Sequence, residues 1–302
     1  MNQKNESLKL KLTYLFVMVM FGIMGPIVRA IGLPSPVIAC LRAWISSICL
    51  ILYMVITKHP FDRNAVKWVL VPMSLCGLYM AIDWIGLFES YNYTTIATAT
   101  VCYYITPVLV FLASPFLLKE PFTIRHFTCT LVAFVGMAFV SGIFEPGALG
   151  SASQADTIKG ILFALLGAAG YAAIILTNKK HPDGDPIIRT TIQLSVAAIL
   201  TTPYVFIRYD VSALHFTLKG VLFLLLLSVV LTAALYIVYF STVVRLPARS
   251  VAILSYVDPV TAVFVSIFFL GEKITVFGVI GTILIIGAAI VSELSPAGKL
   301  KA

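Results

Sequence analysis

Apolar residues in this chain do not alternate with polar ones. They run on for about twenty residues, stop at a short polar break, and resume, and a helix of that length matches the hydrocarbon thickness of a bilayer. Ten such runs are predicted, at 9–30, 35–57, 67–88, 93–117, 123–143, 158–178, 187–207, 218–241, 248–270 and 275–294. Several of the breaks are only a few residues long, which makes successive helices antiparallel. Only 144–157 has linker composition, with Gly, Ala, Ser and Pro146, and it separates five runs from five. The expected organisation is a five-helix unit over 1–143, a linker over 144–157 and a second five-helix unit over 158–302.

The two units echo each other. Tyr103 to Val108 reads Tyr-Tyr-Ile-Thr-Pro-Val and runs on to Leu118-Lys119-Glu120; Ser255 to Val260 reads Ser-Tyr-Val-Asp-Pro-Val and runs on to Leu270-Gly271-Glu272. Pro107 and Pro259 stand 152 residues apart, and so do Val108 and Val260, Leu118 and Leu270, Glu120 and Glu272, and Thr123 and Thr275. Five coincidences at one offset indicate an internal duplication. A unit with an odd number of spans re-enters the bilayer upside down when it is repeated. The expected fold is therefore an all-α integral membrane protein, ten transmembrane helices arranged as two five-helix inverted-topology repeats.

Composition agrees. Of the 302 residues, 60% are hydrophobic and 11% charged, against roughly 45–50% and 25% in soluble domains. A net charge of +8 would suggest nucleic acid in a soluble protein. Here it collects in short loops and orients the helices, so no nucleic-acid partner is expected. With the N-terminus inside, fifteen Lys and Arg residues fall on the inner side: Lys4, Lys9, Lys11, Lys58, Arg63, Lys67, Lys119, Arg125, Lys179, Lys180, Arg189, Arg245, Arg249, Lys299 and Lys301. Five fall outside: Arg29, Lys159, Arg208, Lys219 and Lys273. That bias places both termini of a multi-pass protein in the cytoplasm. The first run is too long for a cleaved signal and is followed by further spans, so it reads as a retained helix.

The five cysteines lie inside apolar runs without ligand spacing and read as small core residues; His59, His126, His181 and His215 fall in loops or at span ends. No metal, cofactor or catalytic group is expected. Helix breaks are expected at Gly22, Gly25 and Pro26, at the corresponding Gly167 and Gly170, and at Pro107 and Pro259. A proline leaves a carbonyl without its partner, so Pro26, Pro107 and Pro259 are candidate hinges or cavity walls. The stripe Gly160, Ala164, Ala168 and Ala172 reads as packing.

The ten-span duplication, the Thr-Pro-Val and Asp-Pro-Val motifs, the Leu-x-Glu endings with Thr three residues later, and Arg42 in the second span resemble the EamA-type drug/metabolite transporters. The resemblance covers essentially the whole chain. It implies a ten-helix inverted-repeat bundle with a central cavity, carrying small metabolites such as amino acids across the inner membrane, commonly outward. One position departs from the pattern: Asp258 precedes Pro259 where an apolar or small polar residue is expected, and its repeat partner is Thr106.

Arg42, Asp83 and Asp258 are the ionisable residues well inside predicted spans. From the helical rise Asp258 lies roughly 13 Å from the inner boundary, and Arg42 and Asp83 roughly 12 Å and 9 Å from the outer one. Each costs about 2.5–3.5 kcal/mol on insertion scales and needs a partner or water. In one reading Asp258 takes a cationic group or a coupling proton and Arg42 an anionic group. In another, Arg42 forms a static ion pair with Asp83 or Asp258; in a third, Arg42 and Asp83 snorkel outward. Tyr79, Trp84, Tyr103, Tyr171, Tyr236 and Tyr239 are candidate cavity aromatics, and Tyr104 and Tyr256, three residues before each proline, are the preferred pair. Glu120 and Glu272 read as structural carboxylates near the N-terminus of the following helix, with Thr123 and Thr275 as N-caps.

The leading functional reading is a secondary transporter, in the exporting direction, working by alternating access on a small molecule within the lipid bilayer. An accessory subunit and a small intramembrane enzyme are the alternatives, and the sequence does not set the oligomeric state. It carries no Walker-type Gly-rich loop, and no metal-spaced His cluster or Ser/His pair lies inside the membrane.

Overall fold

The computed structural model describes residues 3–60, 62–145, 147, 153–270 and 275–293, and among them there is helix but no strand. Four of the ten helices are interrupted. α1 runs Gln3–Gly22 and Met24–Ile31. α2 is Ser35–Ile56 and α3 is Arg63–Tyr93. α4 is Ile96–Tyr103 and Thr106–Leu117, and α5 is Ile124–Val140. α6 is Gln154–Lys180 and α7 is Pro186–Arg208. α8 runs Leu218–Leu225, a π-helical stretch Leu226–Ala234, and Leu235–Arg245. α9 is Ala248–Leu254 and Val257–Leu270, and α10 is Val276–Glu293. Nine have the length and apolarity of a membrane span; α5, at 17 residues, is the short one.

The packing has the symmetry that a duplicated, inverted unit generates. α2 packs on α7, α5 on α10 and α4 on α9, each helix against its own repeat counterpart. Three further pairings occur twice: α3 on α6 as α8 on α1, α3 on α7 as α8 on α2, and α4 on α6 as α9 on α1. The halves interlock rather than sit side by side. The main core, with Tyr14, Leu194, Leu227, Ile253 and Ile285 fully buried, draws on both.

The breaks expected beside prolines are present, but the one expected at Gly167 and Gly170 is not: α6 runs unbroken from Gln154 to Lys180, and those glycines serve instead to admit the backbone of α3. α1 is interrupted at Ile23, between Gly22 and Pro26. α4 breaks at Tyr104–Ile105 and α9 at Ser255–Tyr256, each ahead of its proline. Proline supplies no N–H, and lipid offers no substitute donor. The freed groups are satisfied locally. Tyr103 O accepts from the Thr106 hydroxyl at 2.8 Å, Tyr104 O from the Tyr256 hydroxyl at 3.0 Å, and Ser255 O from Asp258 N at 3.2 Å.

Close approach is set by glycine. A Cβ at Gly22 would lie 2.7 Å from Asp258 O, and one at Gly170 would lie 2.9 Å from Tyr79 O. A Cβ at Gly281 would lie 2.3 Å from Gly136 O, so α5 and α10 touch backbone to backbone. Ala164, Ala168 and Ala172 are buried with Gly160, as a packing stripe requires.

Several expected boundaries move. The third span runs on to Tyr93 and the fourth starts only at Ile96. The polar string Glu89-Ser90-Tyr91-Asn92 reads as loop, but Glu89 has partners on α7 that keep the helix going. α6 begins at Gln154, where Ser153 Oγ accepts from Asp156 N at 3.1 Å. Thr275 is an N-cap, accepting from Gly278 N at 3.1 Å, whereas the Thr123 side chain makes no capping bond. Glu120 caps the start of α9, not the adjacent α5: its two oxygens accept from Ala248 N at 3.0 and 2.9 Å. Pro146, Glu272, Lys273, Lys299 and Lys301 lie outside the described residues.

Gly281→Leu must push α5 and α10 apart, at a cost of about 1–3 kcal/mol. Gly287 on the same helix has nothing within 4 Å of its would-be Cβ. Thermal unfolding of the purified protein should show a clearly lower Tm for Gly281→Leu and little change for Gly287→Leu. Equal shifts in both would contradict the close crossing.

Candidate functional site

The two interrupted helices α4 and α9 meet at the centre of the bundle and bring together residues from both halves. At the α4 break stand Tyr103 and Tyr104, adjacent in sequence and each turned to a different intramembrane carboxylate. The Tyr104 hydroxyl donates to Asp258 Oδ2 at 2.8 Å. The Tyr103 phenol faces Asp83 on α3. One step in the chain therefore addresses an acid from each half.

Around these lies a continuous aromatic wall. The Tyr103 ring stacks on Tyr171 of α6 at 6.1 Å, and Tyr171 shares a 2.8 Å hydrogen bond with Tyr239 of α8. Tyr239 stacks on Tyr14 of α1 at 6.0 Å, and Tyr14 is hydrogen-bonded to Ser255 at the α9 break at 2.8 Å. Phe21 closes the ring against Tyr236 at 5.7 Å and Tyr239 at 5.4 Å. Asp258, Tyr103, Tyr104, Tyr171 and Tyr236 are half-buried, so the polar edge of this wall is not sealed.

Each predicted site residue can now be placed. Asp258 carries the Tyr104 bond at the first turn after the α9 break. Tyr256 is fully buried, its hydroxyl spent on the Tyr104 backbone, so it fixes the α4 break rather than facing the open edge. Asp83 is 4% exposed and its Oδ1 has no hydrogen-bond partner, which rules out snorkelling to the surface. Arg42 forms no salt bridge with Asp83 or Asp258, which sets the static ion pair aside. Its guanidinium lies over the Trp84 ring at 4.4 Å, and its buried Nε has no acceptor. Pro107 and Pro259 are buried and Pro26 is half-buried, all just beyond helix breaks. Of the aromatic candidates, Tyr103, Tyr171, Tyr236 and Tyr239 line the wall.

Tyr14 and Phe21 are members of the wall that the sequence reading lacked. Nothing local marks them, since Tyr14 sits near the start of a span, where tyrosine normally reads as an interfacial anchor. A signal existed only in the spacing of Phe21 beside Gly22, the glycine that admits α9.

Both ends of the bundle are tied by polar contacts. At the end bearing the Lys-rich loops, Glu120 caps Ala248 and lies 3.6 Å from the Lys179 ammonium of α6. Lys179, 5% exposed, also donates to Val243 O at 3.3 Å and to Leu246 O in the α8–α9 turn. Lys11 pairs with Glu293, joining α1 to α10 at the same end. At the opposite end Glu89 of α3 accepts from Tyr204 and lies 3.4 Å from Arg208, both of α7.

Comparison with known proteins places this geometry among others. The profile of the EamA-like transporter family matches residues 10–142 and 158–293. The "Uncharacterized transporter YxxF" of Bacillus subtilis (strain 168) is 24% identical over 284 residues, 93% of this chain and 88% of that protein. "Uncharacterized transporter YvbV" of the same organism is 25% identical over 293 residues, covering 95% and 92%. A chain of known crystal structure superposes with a TM-score of 0.81 at 18% identity, over 95% of this chain and 98% of the other, which shows a common fold.

The Tyr104–Asp258 bond is testable by a double-mutant cycle. Hydrogen bonds to charged groups contribute about 1.5–3 kcal/mol, so Tyr104→Phe and Asp258→Asn should be non-additive in thermal stability by about 1 kcal/mol or more. Strictly additive effects would show that the contact carries no energy.

Proposed function

Because the chain belongs to the EamA-like transporter family, we propose that it is a secondary transporter that exports small metabolites, amino acids or related compounds, by alternating access through the central aromatic wall. The observation that carries this reading is the pair Tyr104–Asp258 at 2.8 Å, which joins the broken helices of the two halves at a half-open polar edge. A carboxylate inside the membrane is costly, which makes Asp258 at the α9 break a functional candidate. Asp258 is the residue for a cationic group or a coupling proton. Arg42, stacked on Trp84 with an unused donor, is the residue for an anionic group, and Asp83 sets the charge balance between them. Tyr104 orients Asp258, Tyr256 holds the α4 break, and Pro26, Pro107 and Pro259 are the hinges.

The fifteen-to-five distribution of basic residues supports a cytoplasmic position for the Lys-rich end and for both termini. That end is held shut by its own polar tie, as the opposite end is by Glu89. Opening it requires Glu120 to release Ala248 and Lys179 to leave the α8–α9 turn. Ala248 begins the half-helix that ends at Leu254, just before Asp258. Asp258 lies just past the break that ends this piece, so movement of the piece reaches it through Ser255 and Tyr256 alone and changes its position relative to Tyr104.

Purified protein in liposomes should move a solute identified by comparing metabolite accumulation in cells with and without the gene. Asp258→Asn should cut that flux at least tenfold and remove its pH dependence. Full, unaltered pH-dependent flux in the mutant would end the coupling role, and flux that needs a second polypeptide would end the autonomous transporter. Glu120→Gln should raise labelling of a cysteine placed in the aromatic wall by a reagent supplied at the Lys-rich end; unchanged labelling would dismiss the gate. A C-terminal reporter active on the outer side would reverse the orientation.

A further inference from the structure

A second set of groups lies away from the central site. A crevice of about 170 Å³ opens between the α6–α7 turn and the last turns of α8, with Gly184 and Pro186 on one wall and Ser241 and Val244 on the other. Two guanidinium groups line it, Arg189 and Arg245. Arg189 is 4% exposed, whereas Arg245 is exposed.

Among the described residues Arg189 makes its hydrogen bonds to neutral groups alone. Nη1 donates to Pro182 O at 2.6 Å, and Nη2 donates to Asn178 O at 3.2 Å and Asn178 Oδ1 at 3.1 Å. All three acceptors are neutral. Asn178 is itself fixed from the other side, donating to Gln193 Oε1 and Ile174 O, each at 3.0 Å. A guanidinium has five N–H groups; Nε–H has no acceptor here, and one Nη1–H is left over.

The nearby acids do not fill the gap. Asp185 Oδ1 is committed to Ile187 N and Ile188 N, and Oδ2 to His59 at 3.0 Å. Asp183 is exposed, where water screens it. A buried cation without a counter-charge is unfavourable in itself. Its position is also specific. Arg189 is in the first turn of α7 and Arg245 is the last residue of α8, so both stand where a span meets the headgroup layer.

We propose that this crevice binds a phosphate-bearing anion, held between the spare N–H groups of Arg189 and the guanidinium of Arg245. Guanidinium matches phosphate oxygens in pairs, and basic pockets between helix ends take lipid headgroups in this way. The same chemistry comes from two sources, the headgroup of an anionic phospholipid in the leaflet at the Lys-rich end or a soluble phosphate. The site shares no residue with Asp258, Arg42 or Asp83, so it stands or falls separately from the cargo reading.

The test uses the full chain in nanodiscs at matched ionic strength, following thermal unfolding in phosphatidylcholine alone, with phosphatidylglycerol added, and with inorganic phosphate added. A rise in Tm of a few degrees with phosphatidylglycerol but not inorganic phosphate assigns the lipid source; a rise with inorganic phosphate assigns the soluble one. In either case the exposed-site variant Arg245→Gln should lose most of the gain, and Arg189→Lys, which keeps the charge but not the fork, should lose part of it. The same Tm in all three conditions overturns the proposal, and so does a gain that survives Arg245→Gln intact. Should Arg189→Lys fail to fold, Arg245→Gln alone decides.

Discussion

In hydrocarbon every backbone N–H and C=O must find its partner within the protein, and this structure is shaped by the places where it departs from an unbroken helix to meet that requirement. Proline in α4 and α9 frees carbonyls at mid-span. The replacements come from the motif itself: Thr106 serves Tyr103, and Tyr256 serves Tyr104 from the opposite half. The cross-half bond means that the α4 break is not complete alone, whereas the α9 break closes on its own Asp258 N. A chain that must satisfy one helix's broken backbone with another helix's side chain fixes the register between the halves. The same contact then positions Tyr104 to meet Asp258.

The asymmetry between the repeats builds on that shared frame. Thr106 and Asp258 occupy equivalent positions, yet the first returns its hydroxyl to its own helix and to Ala168 O at 3.2 Å, while the second offers a carboxylate across the interface. Lys179 likewise strengthens one end of the bundle. Its three partners come from the α4–α5 loop, α8 and the α8–α9 turn, so the Glu120 cap is reinforced where several helices converge. Symmetry supplies two comparable ends, and single differences between the repeats give the two ends different contacts.

The fold was legible because its causes are local or periodic. Span length, the 152-residue offset of Pro107 and Pro259, and the odd number of spans per unit follow from counting along the chain. The breaks of α4 and α9 were legible for the same reason, since proline acts on the carbonyl four residues before it, but the unbroken α6 and the π-helical stretch of α8, which has no proline, were not. Less was legible at the site. Asp258, Asp83 and Arg42 announce themselves because a charge inside a span is expensive, but their partners do not. Arg42 rests on Trp84 instead of pairing with an acid, and Glu120 reaches a helix 128 residues away in sequence rather than the next one. Such choices depend on how ten helices are brought together, and nothing in the neighbouring residues records them. Glu89 misled for a related reason: a polar cluster reads as loop unless the helix beside it is known to bring Tyr204 and Arg208.

Glycine connects these levels. Gly22 has no side chain, and that absence lets α1 lie against the carbonyl of Asp258. Were α1 held further off, Tyr14 and Phe21 would withdraw from Tyr239 and Tyr236, and Tyr14 would lose Ser255 at the α9 break. The aromatic wall thus depends on a residue that contributes no ring to it. Small residues let membrane helices approach because lipid supplies little drive for their association, and contact has to come from close backbone packing. At Gly22 that general effect becomes a local one, placing a wall of tyrosines beside the carboxylate that the α9 break exposes.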